Sequence, residues 1–144
     1  MTVYLLDVNV LIALIDANHV HHDRAHQWFA TQGIHAWASC ATTENGLLRI
    51  VGNPRYPNSL GSPVAVVPIL QQLRQLSGHQ FWHDDISLMD TRYVDSSRLL
   101  QSGQITDSYL LALAVHNGGK LATLDARLCI DAVLQGKSAL CLIP

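Results

Sequence analysis

The chain has 144 residues, 49% of them hydrophobic and 14% charged, which suits one globular domain over residues 1–144 with a core of its own. The formal net charge of −2 gives no overall attraction for nucleic acid, so such a partner would need a local site. The three cysteines form no Cys-x-x-Cys pair, which argues against a disulfide scaffold and against a zinc ribbon.

The start of the chain carries no targeting signal that the sequence pattern reveals. It has no basic segment, and Asp7 would interrupt the apolar stretch of a signal peptide. No apolar run approaches the length needed to cross a membrane. We therefore expect a cytoplasmic protein with no membrane partner.

Short apolar runs that suit buried strands alternate with stretches whose apolar residues repeat at helical spacing. In chain order the patterns predict a strand over 3–6, helices over 10–15 and 22–31, a strand over 36–39, a helix over 42–51, an irregular loop over 53–63, a helix over 64–76, an extended segment over 81–83, helices over 89–101 and 107–117, and strands over 121–124 and 139–143. This alternation predicts an α/β fold in which a mostly parallel sheet is covered by helices on both faces.

Capping and breaking residues predict several of these boundaries. Asp7 or Asn9 is expected to cap the first helix, since both residue types are preferred at that position. Thr106 is expected to cap the helix that follows it. Gly118 and Gly119 are expected to end that helix in the left-handed conformation that glycine allows.

Four acidic residues fall where predicted strands give way to helices: Asp7, Glu44, Asp107 and Asp125. The carboxyl ends of parallel strands meet at one edge of a sheet, where ligands bind. Four carboxylates at that edge would repel one another unless they were protonated or held a cation. Because oxygen ligands suit Mg²⁺ and Mn²⁺, we predict that all four are metal-binding and catalytic residues of a phosphodiesterase site.

Each acid also has a structural interpretation. Asp7 could be only a helix cap, and Glu44 could belong to a capping box. Asp107 would be favoured by the helix dipole, and Asp125 could begin a turn. One shared metal site accounts for all four positions, whereas the structural interpretations require four coincidences at the same edge.

Three further polar residues are candidates for supporting roles. Asn9 lies two residues after Asp7 and is predicted to hold that carboxylate by a hydrogen bond. Arg49 lies on the predicted helix that carries Glu44, and Arg55 lies in the adjacent proline-rich loop. These two arginines are the best candidates in the chain for contacts with phosphate groups.

With these residues in view, the chain resembles the PIN-domain ribonucleases, specifically the VapC-type toxins of bacterial type II toxin–antitoxin systems. The resemblance extends over essentially the whole chain. It is carried by Leu5-Leu6-Asp7-Val8-Asn9-Val10-Leu11, Thr43-Glu44-Asn45-Gly46-Leu47-Leu48-Arg49, Asn53-Pro54-Arg55-Tyr56-Pro57, Ile105-Thr106-Asp107-Ser108-Tyr109-Leu110 and Leu124-Asp125. Many relatives carry an aromatic residue shortly after the last acid, where this chain has Ala126-Arg127-Leu128.

The resemblance implies a PIN-like fold, a homodimer and an endoribonuclease that depends on Mg²⁺ or Mn²⁺ and inhibits translation and growth. By similarity the four acids hold the metal, with Asn9 and Thr106 or Ser108 in support. The implied partners are a cognate antitoxin, a segment of which occupies the acidic groove, and a structured RNA of the transfer or ribosomal class.

Two other interpretations remain open at this point. Phosphatases that resemble the haloacid dehalogenases also begin with an aspartate after the first strand. Their second acid lies two residues later, where this chain has Asn9, which cannot protonate a leaving group. The other alternative is a catalytically inactive module that binds RNA or an antitoxin, and the complete set of acids argues against it. Metal-dependent cleavage of RNA would distinguish these interpretations from the proposed nuclease.

Overall fold

Five parallel strands form one sheet, in the order β3-β2-β1-β4-β5, in the computed structural model, which describes residues 1–144. The strands are β1 (Tyr4–Leu6), β2 (Trp37–Cys40), β3 (His79–Trp82), β4 (Lys120–Thr123) and β5 (Leu140–Leu142). Every neighbouring pair of strands is parallel, as the alternation of elements predicted. The strand that precedes Asp7 therefore lies at the centre of the sheet.

Six α-helices and three short 3-10 helices connect the strands. The α-helices are α1 (Val8–Ile15), α2 (His22–Thr31), α3 (Ala41–Val51), α4 (Pro63–Arg74), α5 (Ile105–His116) and α6 (Gly136–Ala139), and the 3-10 helices are Gly33–His35, Ser96–Arg98 and Ser102–Gln104. The predicted bounds of α2 are confirmed, those of α1 and α3 differ by one or two residues at the start, and those of α4 and α5 differ by one or two residues at both ends. None of these helices combines the length and the apolar character that crossing a bilayer requires.

Two apolar cores lie on opposite faces of the sheet, because successive strand residues point to opposite sides. Leu6 and Trp37 belong to the core that packs against α1, α2, α3 and α4. Leu5 and Ala38 belong to the core that packs against α5. The predicted covering of both faces is therefore confirmed, and both cores hold the carboxyl edge of the sheet in place.

Helices α1 and α3 approach closely beside that edge. A Cβ atom built on Gly46 would lie 2.8 Å from Cγ2 of Val8, a distance that real Cβ contacts essentially never show. Val8 is the first residue of α1. The absence of a side chain at Gly46 thus allows the start of α1 to pack directly on α3.

The helix predicted over residues 89–101 is wrong. Asp90 and Asp95 each accept a hydrogen bond from the backbone N–H two residues ahead, at 3.0 and 3.2 Å. Such local bonds compete with a helical backbone. Val94 also pairs with Val133 in an isolated antiparallel bridge, which commits the backbone to a distant segment. The segment consequently forms turns and one short 3-10 helix.

The predicted cap of α5 is also wrong, and the helix ends at His116, one residue before the predicted end. The helix begins at Ile105 with Gln104 at the N-cap position, so Thr106 lies inside the first turn. At the other end Gly118 has φ 68°, the left-handed conformation expected there. Gly119 does not share that conformation.

Candidate active site at the carboxyl edge of the sheet

Asp7 follows the central strand and is the N-cap of α1. Its Oδ1 accepts a hydrogen bond of 2.7 Å from the backbone N–H of Val8. The structure thus selects Asp7 rather than Asn9 as the cap. The residue is only 6% exposed, and its Oδ2 is directed to other polar side chains. The two oxygens of the Asp7 carboxylate therefore accept hydrogen bonds from different neighbours.

Thr123, which is not among the site residues predicted from sequence, links Asp7 to the end of β4. Its hydroxyl donates to Oδ2 of Asp7 at 2.8 Å, and its oxygen lies 3.1 Å from Nδ2 of Asn9. The predicted contact of Asn9 with Asp7 is present but longer, at 3.4 Å. Asn9 also accepts from the backbone N–H of Leu124. The sequence could have indicated Thr123, because it is a polar residue in a buried strand, two positions before Asp125.

Asp7, Asp107 and Asp125 lie close enough for their charges to interact. The pKa of Asp107 is raised to about 6, mainly by burial and further by the charges of Asp7 and Asp125. Burial also raises the pKa of Asp7, as does Asp125, against the hydrogen bonds from Thr123 and the Val8 backbone. No lysine or arginine forms an ion pair with any of the three. These three carboxylates form a negatively charged cluster without a protein counter-ion.

Glu44 lies in the first turn of α3 at the same edge but contacts a different group of residues. Its Oε2 accepts from the hydroxyl of Ser39 at 2.6 Å and lies 3.6 Å from Nε of Arg74. Glu44 is not among the charges that shift the pKa of Asp7 or Asp107. The structure thus couples the charges of three of the four predicted acids and places the fourth in a separate hydrogen-bonded group at the start of α3.

The start of α3 has its own caps, and Glu44 is not one of them. Thr43 accepts from the backbone N–H of Cys40 at 3.0 Å, which fills the capping-box position. Asp84 accepts from the backbone N–H and the hydroxyl of Thr42, at 3.0 and 2.8 Å. The capping-box interpretation of Glu44 is therefore wrong.

The chemistry of the donors fits a hard divalent cation, although the structure does not show a closed set of ligands. No three carboxylate, imidazole or thiol side chains stand close enough to one another to hold an ion as they are placed. The three aspartates nevertheless offer only oxygen donors, which Mg²⁺ and Mn²⁺ prefer. A cation would also relieve the repulsion that raises the pKa of Asp107.

A cleft of about 610 Å³ adjoins the acids. Asp107 and Asp125 line it together with two arginines, Arg98 and Arg127, and the amide side chain of Gln101. Arg98 pairs with a neighbouring aspartate at 3.4 Å, whereas the side chain of Arg127 forms no ion pair. The cleft is therefore lined both by carboxylates and by guanidinium groups that can donate hydrogen bonds.

The side chains of the remaining predicted site residues form no hydrogen bond or ion pair with the acids. Thr106 is exposed and lines a smaller groove, while Ser108 is fully buried and its hydroxyl has no hydrogen-bond partner. Arg49 and Arg55 are exposed and lie outside the 610 Å³ cleft. Their roles stay predictions, as do the metal-binding roles of the four acids.

Comparison with known proteins places these residues in a family context. The family model described as the PIN domain matches residues 4–132. The chain is 44% identical over 132 residues to Ribonuclease VapC44 of Mycobacterium tuberculosis, with 90% of each chain covered. It is 40% identical over 128 residues to Ribonuclease VapC39 of the same organism, covering 89% of this chain and 92% of the relative.

Two solved structures share the fold. Mycobacterium tuberculosis VapC20, described as a sarcin-ricin loop cleaving toxin, superposes with a TM-score of 0.63 at 12% identity over 92% of this chain and 97% of its own. VapBC2 from Rickettsia felis, solved with a DNA fragment from its promoter, gives 0.54 at 16% identity over 87% and 89%. At these identities the likeness confirms the predicted PIN-like α/β fold and nothing about chemistry.

Proposed function

The chain belongs to the PIN-domain family, in the group of the VapC ribonucleases, and from that premise we propose that it is a divalent-metal-dependent endoribonuclease, the toxin of a toxin–antitoxin pair. The observation that carries the proposal is the cluster of Asp7, Asp107 and Asp125, which has no cationic partner in the protein. The ribonuclease names of the relatives support the same reaction class.

The residues proposed to hold Mg²⁺ or Mn²⁺ are the three aspartates and Glu44. When bound, the ion would polarise the scissile phosphate and lower the pKa of an attacking water. The protein contributes by holding its carboxylates in place. Thr123 and the first turn of α1 restrain Asp7, and the backbone N–H of Arg127 restrains Asp125 through a bond of 2.8 Å. Restrained ligands lose less conformational freedom when they bind.

The RNA is proposed to lie in the 610 Å³ cleft, because Asp107 and Asp125 line it. Arg127 and Arg98 are placed to contact phosphates there, and Gln101 can hydrogen-bond the edge of an unstacked base. Arg49 and Arg55 would serve only a strand that continues beyond the cleft. The substrate class proposed is structured transfer or ribosomal RNA, supported by the description of VapC20 as a sarcin-ricin loop cleaving toxin.

The two pairs of arginines can be compared directly. If the cleft holds the RNA, Arg127→Ala should weaken RNA binding and lower the slope of log affinity against log salt by about one. Arg55→Ala should then change neither quantity, although both side chains are exposed. The opposite pattern would support the arginines predicted from sequence and would place the RNA outside the cleft.

The experiment that tests the proposed function is sequencing of RNA ends. Wild type and the Asp7→Asn variant are each expressed without a partner, and purified samples are then incubated with total RNA in Mg²⁺, Mn²⁺ or chelator. New ends at defined sites are expected only with wild type and metal. Absence of cleavage together with retained RNA binding would indicate the non-catalytic module. Turnover of a chromogenic phosphomonoester would indicate the phosphatase.

The proposed partners are a cognate antitoxin and a second copy of the chain in the cytoplasm. The likeness to the VapC ribonucleases supports the antitoxin partner, and four large apolar side chains, Val20, Val64, Met89 and Leu100, are 69% to 86% exposed. Expression of the chain alone should therefore slow growth, and co-expression with an antitoxin encoded beside it should give a soluble hetero-oligomer. A stable monomer at high concentration with no growth defect would contradict this part of the proposal.

A further inference from the structure

Glu44 is held by a chain of polar side chains that begins on the outer strand of the sheet. Ser39 is fully buried, and its hydroxyl oxygen lies 2.6 Å from Oε2 of Glu44 and 2.8 Å from Nε2 of His79. Arg74 approaches the same Oε2 at 3.6 Å. The side chain of Glu44 is only 12% exposed, so these contacts are partly shielded from water.

The protons available on Glu44, Ser39 and His79 determine which atom donates in each hydrogen bond. A carboxylate can only accept hydrogen bonds, and a serine hydroxyl has one proton to donate. Ser39 therefore donates to Glu44, and Nε2 of His79 must be the N–H that donates to Ser39. Burial lowers the pKa of His79, and the positive charge of Arg74 lowers it further, which favours the neutral imidazole. The result is a directed relay from His79 through Ser39 to Glu44.

The sheet holds this relay in place. Strands β2 and β3 are parallel with Trp37 opposite His79, so Ser39 lies two residues further along the same face. The ring of His79 packs on the ring of Trp37 with centroids 4.5 Å apart. Both donors therefore stand on rigid strands, and the relay reaches Glu44 across the start of α3.

We propose that Ser39 and His79 are positioning residues that fix the carboxylate of Glu44 for metal binding, an inference that rests on the proposed role of Glu44 as a ligand. The relay and Arg74 both use Oε2, and no hydrogen bond of the structure uses Oε1. The relay thus restrains the side chain while it leaves one oxygen for a cation. Partners of this kind commonly change metal affinity by about 10- to 100-fold.

The test measures Mn²⁺ binding directly, by the electron paramagnetic resonance signal of the free ion in a titration. Ser39→Ala removes the donor and should weaken Mn²⁺ binding by about tenfold. Ser39→Thr keeps a hydroxyl on a strand position that suits a β-branched residue, and should restore binding to within about threefold of wild type. His79→Leu and His79→Gln form a second pair, in which only the glutamine keeps an N–H donor.

A purely structural role would give a different result. In that case Ser39→Ala and His79→Leu would lower the thermal midpoint without metal but bind Mn²⁺ as wild type does, and the inference would be refuted. If Ser39→Ala does not fold, the two His79 variants decide the question by the same titration. Failure of the proposed function is recognised separately. In that case Glu44→Gln would bind Mn²⁺ as wild type does, whereas failure of the inference alone would leave Glu44→Gln weakened and Ser39→Ala unchanged.

Discussion

Replacement of Asp107 by asparagine should stabilise the metal-free protein at neutral pH. The pKa of Asp107 is about 6 in the folded protein against an ordinary value of 3.8, a difference equivalent to about 3 kcal/mol of strain before screening. Solvent reaches this carboxyl, so about 1–2 kcal/mol should be realised. The variant loses a favourable charge at the start of α5, about 0.3–1 kcal/mol. The expected net gain is about 1 kcal/mol, or about 3 °C in thermal midpoint.

The gain should depend on pH in a defined direction. A carboxyl whose folded-state pKa is raised contributes stability that is complete below the unfolded value of 3.8 and is lost as the pH rises through about 6. The difference in free energy of unfolding between Asp107→Asn and wild type should therefore be full at about pH 7.5 and close to zero at about pH 4.

Urea denaturation in chelator, at several pH values across this range, measures the difference. Asp131→Asn is the matched control, since Asp131 lines the same cleft and the protein makes no hydrogen bond or ion pair to its carboxylate. The control should change stability by less than about 0.5 kcal/mol. A less stable Asp107→Asn at neutral pH, or a difference that does not vary with pH, would refute the electrostatic strain at Asp107.

Three further predictions concern the residues around the site. Thr123→Val keeps the shape of the side chain but removes the hydroxyl that donates at 2.8 Å to Oδ2 of Asp7, so Mn²⁺ binding in a titration should weaken by about tenfold with the fold intact. Gly46→Ala should lower the free energy of unfolding by about 1–3 kcal/mol, because its Cβ would lie 2.8 Å from Val8, and a Val8→Ala change should recover much of the loss. Tyr56→Phe removes a hydroxyl that donates to the buried carboxylate of Asp16 and should cost about 1–3 kcal/mol in urea denaturation.

Several features of this protein could be predicted from sequence because they depend on neighbouring residues. The alternation of apolar strands with amphipathic helices is a local periodicity, and it predicted the parallel sheet and the bounds of α2. The position of Asp7 after a strand is equally local. The turns over residues 89–101 show where such reasoning fails, because the hydrogen bonds that Asp90 and Asp95 accept from the backbone compete with a helical conformation.

Only the tertiary structure decided which polar residues meet at the site. The strand order places β1 between β2 and β4, which puts Thr123 against Asp7 although 116 positions separate them. The pairing of β2 with β3 brings His79 to Ser39 in the same way. A sequence pattern reports the period and charge of each segment, whereas hydrogen bonds between distant segments depend on which strands become neighbours. For that reason the sequence could indicate the neighbouring pair Asp7 and Asn9, whose contact is present, but not the distant partners Thr123 and Ser39.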